Sequence, residues 1–186
     1  MASSTARPPS LRVALLRGVN LGPNRRLAMA DLRAVAEGLG WTDVGTHLQS
    51  GNLLFRSAAP DAEAVADLTT AVDRELAIRV DVVLRSGEAL RGLLDANPFG
   101  RSDPARAVIV CCDRAVGELA PRRLAELQAG RERFEIAATG TDVYADFPDG
   151  QAASRLAAGL VGALRPATGT ARNLRTMGKL AELLLA

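Results

Sequence analysis

"THLQSGNLLF", residues 46–55, consists of two short extended runs that meet at Ser50-Gly51-Asn52. Glycine and asparagine tolerate the positive φ that a tight hairpin demands and that most side chains resist, so the stretch reads as a β-hairpin. A second stretch of the same kind, "FEIAATGTDVYADF" at 134–147, turns at Thr139-Gly140-Thr141. The two turning glycines, Gly51 and Gly140, stand 89 residues apart, so the chain reads as one order of elements written twice. Only the topology repeats; residue identity between the halves is slight.

Working outward from the first hairpin, "LRVALLR" (11–17) reads as a strand, and Leu32, Val35, Ala36 and Leu39 give the i, i+3, i+4, i+7 stripe of a helix. Pro60 suits the first turn of a second helix with Val65, Leu68, Val72 and Leu76 on its apolar face, and "RVDVVLR" (79–85) closes the unit as a strand. That order is β-α-β-β-α-β. After a short helix around Leu90 to Leu94 and the breaker "NPFGRSDP" (97–104), the pattern restarts. "ARAVIVCC" reads as a strand, "PRRLAELQ" as a helix, and the second hairpin follows. "ASRLAAGLVGAL" is a helix stopped by Pro166, "ATGTAR" a short strand, and Leu174, Met177, Leu180 and Leu184 mark a last helix.

The expected fold is therefore α+β: two tandem ferredoxin-like halves, 11–96 and 105–186, packed together, with an additional C-terminal helix, a linker at 97–104 and a flexible tail at 1–10. Strands such as "VALLR", "DVVL" and "AVIVCC" are apolar on both faces, so the side away from the helices needs cover. The other half is the expected cover, leaving a cleft where small ligands commonly bind.

Composition narrows the function classes. With 186 residues and 48% hydrophobic content, the chain can bury a core without a metal or disulfide staple. A net charge of +2, from 23 Lys and Arg against 21 Asp and Glu, gives no strong positive field, so general nucleic-acid affinity is not implied. Cys111 and Cys112 lie within an apolar strand and read as small core residues of a reducing compartment. The start "MASSTARPPS" has no apolar leader segment, and no apolar run reaches the roughly 18 residues of a membrane span. A cytoplasmic protein is expected.

At "ALLRGVN", "LQSGNLLF", "YADFPDG" and "TARNLRTMGKLAELL" the sequence resembles a family of bacterial proteins, domain of unknown function 1697, in order from about residue 11 to the C-terminus. The resemblance implies an α+β fold and a cytoplasmic bacterial protein, and it implies no reaction. Against the family pattern, Pro23 stands in place of a glycine, Arg26 and Arg155 in place of lysines, and Leu174 where an aromatic is common.

The chemistry begins with what is missing. His47 is the one histidine, and alternation would set it beside Gln49, opposite Val44, Thr46 and Leu48. Neither Ser50 nor the paired cysteines carry a nucleophile signature around them. There is no GxxxxGK[ST] and no GxGxxG, and no cofactor or metal is implied. The remaining candidate is the loop "RGVNLGPNRR" (17–26), where a strand hands over to a helix near Ala28. Free N–H groups at a helix start bind anions, and Arg17, Arg25 and Arg26 add forked donors. No Ser, Thr, Asp or Asn directly precedes "LAMADL" as a cap, whereas Asp31 in the first turn would oppose an anion.

Three polar clusters complete the candidate set: Arg17 to Asn20, then Gln49, Ser50 and Asn52, then Arg172 and Asn173. The competing reading makes the asparagines turn and cap residues, with Asn173 as N-cap before Leu174. The expected function is non-catalytic binding of a phosphate-bearing small molecule or nucleotide. The alternatives are an RNA-associated module and an enzyme acting on a phosphorylated substrate. RNA modules of this element order stack bases on strand aromatics, and at 3% aromatic content such a platform is thin; Arg85, Arg91, Arg101 and Arg106 remain as phosphate contacts.

Overall fold

The run of apolar residues after Pro9 forms β1 (Ser10–Arg17), and alternation sends Ala14 and Leu16 to one face and Val13 and Leu15 to the other. In the computed structural model, residues 8–20 and 27–186 are described. The first unit continues with α1 (Met29–Gly38), β2 (Thr42–Thr46), β3 (Asn52–Ser57), α2 (Asp61–Leu76) and β4 (Asp81–Ser86). Its sheet is antiparallel throughout, in the order β2-β3-β1-β4. The first and third strands are thus central neighbours, as the element order requires of two crossover helices on one face.

The helix-covered face carries Ala14, Leu16, Leu53, Phe55, Val82 and Leu84. Against them pack Leu32, Val35 and Ala36 of α1 and Ala64, Leu68, Ala71 and Val72 of α2. The helical stripes read from periodicity hold, with Val65 and Leu76 at the core's margin. Phe55 lies flat on Trp41, with ring centroids 3.9 Å apart and planes 16° from parallel. Arg12 also lies over this ring, its guanidinium 5.2 Å from the Phe55 centroid. That guanidinium bonds Asp61 Oδ1 at 2.5 Å and the Ser57 carbonyl at 3.0 Å, tying β1 to the start of α2.

The second unit repeats the plan. β5 (Ala107–Cys112), α4 (Ala120–Leu127), β6 (Arg133–Ile136), β7 (Asp142–Asp146), α5 (Arg155–Ala163) and β8 (Gly169–Asn173) build an antiparallel sheet in the order β6-β7-β5-β8. Val108, Val110, Cys112, Val143 and Ala145 face Leu124, Leu156 and Leu160 across its core. Both cysteines are buried and neither forms a disulfide. One more helix follows the last strand of each sheet, α3 (Gly87–Asp95) after β4 and α6 (Leu174–Leu185) after β8. The architecture is a mixed α+β one, with two four-stranded antiparallel sheets and six helices among the described residues.

Two details differ from expectation. Residues Met1–Gly87, with Ala186, form one compact unit and Glu88–Leu185 the other, so the stretch 97–104 belongs to the second unit instead of standing between two. Side chains of the second sheet hold α3 and this stretch there: Tyr144 donates to the Leu93 carbonyl of α3 at 2.9 Å, and Arg133 lies over the Phe99 ring at 4.8 Å while bonding Ser102 Oγ. The first strand of the first hairpin also ends earlier than the sequence suggests. β2 stops at Thr46, because Leu48 takes a positive φ of 60° and breaks the alternation that would carry His47 and Gln49 along a strand. The expected tail falls mostly on residues 1–7, outside the described residues, and β1 already begins at Ser10.

Candidate functional site

Antiparallel pairing of β1 with β3 sets Leu15 opposite Asn52, so the end of β1 meets the hairpin between β2 and β3. Two of the three predicted clusters therefore come together, and a ladder bond from Leu16 N–H to the Gly51 carbonyl at 2.8 Å marks the junction. Asn20 is its clasp. The side-chain amide donates to the Gln49 carbonyl at 2.6 Å and to the Leu27 carbonyl at 3.0 Å, while its oxygen accepts the Leu27 N–H at 2.8 Å. A φ of 57°, which asparagine adopts more readily than most residues, lets it reach both ways. One side chain thus fastens the hairpin, the end of β1 and the approach to α1.

α1 starts at Met29 after Ala28, and among the described residues no side chain caps it. Its first N–H groups therefore meet no side-chain acceptor among the described residues, and Asp31 in the first turn would oppose an incoming anion. Arg25 and Arg26 lie outside the described residues. Arg17 is exposed at the end of β1 and forms a 3.2 Å ion pair with Asp81 on β4, its ladder partner. The sequence reading leaves Asp81 out, because its place opposite Arg17 follows from the register of β1 against β4, which a linear pattern leaves open. Gln49 contributes its carbonyl, and its side chain is exposed. Asn52 is fully buried and donates to the His47 carbonyl at 2.8 Å and Ser50 Oγ at 3.0 Å, shaping the turn from within.

Arg172 and Asn173 belong to the second unit. Arg172 is buried on β8, where it donates to Thr170 Oγ1 at 2.7 Å and to the Ala171 carbonyl at 2.9 Å. Burial pushes its pKa down to about 10, which still leaves it cationic at neutral pH. Asn173 accepts the Thr176 N–H at 2.9 Å and so caps α6. Asn173→Ala is expected to cost about 1 kcal/mol, read as a fall in the urea midpoint with unchanged slope, and Asn173→Ser is expected to restore most of it.

The matching junction in the second unit is built differently. Cys112 N–H bonds the Thr141 carbonyl at 3.2 Å, as Leu16 does Gly51, so Asp113 stands where Arg17 stands. Its carboxylate accepts the Thr168 N–H at 2.8 Å and pairs with Arg114, also at 2.8 Å. Partial burial raises the Asp113 pKa, but the Arg114 guanidinium and the Thr168 N–H outweigh it and hold the group below the ordinary 3.8. A carboxyl with a depressed folded-state pKa stabilises the fold above its unfolded pKa, and that contribution is lost as pH falls through the folded value. Asp113→Asn should therefore destabilise most at pH 7 and progressively less toward pH 3 in thermal melts. A gap independent of pH would assign the loss to geometry alone.

Comparison with known proteins agrees with this fold. The chain is similar in structure to the conserved bacterial protein SP0830 from Streptococcus pneumoniae, with a TM-score of 0.71 and 23% identity over 95% of this chain and 99% of that one. No curated protein matches. No helix among the described residues is long and apolar enough to cross a membrane. The family model described as "Protein of unknown function (DUF1697)" matches residues 10–144, a span that contains both "ALLRGVN" and "LQSGNLLF", whereas "TARNLRTMGKLAELL" lies beyond it. The chain belongs to the DUF1697 family.

Proposed function

We propose that the protein consists of two ferredoxin-like halves and binds a phosphate-bearing small molecule or nucleotide, without catalysis, at the junction of β1, the β2–β3 hairpin and α1. The strand order in each unit supports the first part, since central first and third strands flanked by the second and fourth are what that fold requires. One observation carries the second part: the Asn20 clasp presents the uncapped start of α1 beside the hairpin and holds the two ends of the Arg25 and Arg26 loop together. Backbone N–H groups at a helix start are donors a phosphate needs, and arginine side chains supply forked ones. Buried cysteines outside any disulfide fit work in a reducing cytoplasm.

The test is a thermal-shift series with inorganic phosphate, nucleotides, sugar phosphates and short RNAs on the wild type and on Arg26→Ala. A ligand present at 100 times its Kd adds about 2.7 kcal/mol to the folded state, which raises the melting temperature by several degrees. The expected result is such a rise with a phosphate compound and its loss in Arg26→Ala. No rise with any compound, or a rise the substitution leaves intact, would overturn the assignment of this junction. A rise with RNA alone would favour the RNA-associated reading.

A further inference from the structure

We draw no further inference here: the strongest candidate, the cluster of buried polar side chains Cys111, Asp142, Tyr144, Thr170 and Arg172 on the face of the second sheet away from α4 and α5, carries nothing, because each of these groups is already engaged inside the fold and nothing in the structure points to a ligand reaching them.

Discussion

Phe55→Ala is expected to remove about 3–5 kcal/mol from the stability of the first unit, the usual cost of truncating a fully buried phenylalanine. Phe55 is 0% exposed, lies flat against Trp41 and carries the Arg12 guanidinium over its ring. Its loss leaves a gap that two rigid strands and a helix cannot close, and it strips the aromatic face from a cation that is itself buried. Since domains of this kind have about 5–15 kcal/mol in total, the variant would stand near its unfolding threshold. Trp41 is the chain's one tryptophan, so urea melts followed by its fluorescence report on this stack directly. Phe55→Leu, which keeps most of the volume, should lose far less. If the alanine variant lost under about 1 kcal/mol, the neighbours of Phe55 would have to collapse onto the gap instead of holding rigid around it.

The second large effect is expected at Gly51. Its φ of +76° is the left-handed region that side chains rarely adopt, and an added Cβ would lie 2.5 Å from Val19 Cγ2 and 2.9 Å from Leu16 Cβ. Both neighbours are buried, and Leu16 is ladder-bonded to Gly51 itself, so neither moves cheaply. Strain of about 1 kcal/mol from the backbone and about 1–3 kcal/mol from overpacking place Gly51→Ala at roughly 2–4 kcal/mol. Gly140, at the turn of the second hairpin, is the control. It has nearly the same φ, +71°, but nothing within 4 Å of an added Cβ. Gly140→Ala should therefore show the backbone cost alone, about 1 kcal/mol. Equal losses at the two sites, measured by chemical denaturation, would mean that Val19 and Leu16 yield and that close approach plays no part.

These two glycines also show what the sequence could convey. Element order and both helical stripes of the first unit follow from apolar spacing, because burial on one face imposes a period that survives in the residues. The α6 cap at Asn173 was legible too, since capping is a local relation between a side chain and an N–H three residues on. Relations across the sheet were not. That Gly51 presses on Val19, that Arg12 stacks on Phe55, and that Arg17 pairs with Asp81 all depend on strand register, which a linear pattern leaves open. The end of β2 escaped for another reason: a leucine at positive φ gives no compositional sign of the turn it makes. In the candidate site, convergence of the first two clusters needed the antiparallel pairing of β1 with β3 to be known.

The Asn20 clasp has a counterpart that changes what the first unit's loop is free to become. In the second unit the backbone N–H of Val116 bonds the Gly140 carbonyl at 2.9 Å, doing with main chain what Asn20 does with a side chain toward Gln49. Asn20 additionally binds Leu27 in both directions, so the six residues between them start and finish at one fixed gate. Closing a chain segment whose ends are already held costs little more as it grows, about 0.6 kcal/mol for each doubling of length. With Asn20 and Leu27 fixed in this way, an engineer can graft a longer recognition segment between them at small entropic cost while β1, the β2–β3 hairpin and the approach to α1 keep their hydrogen bonds.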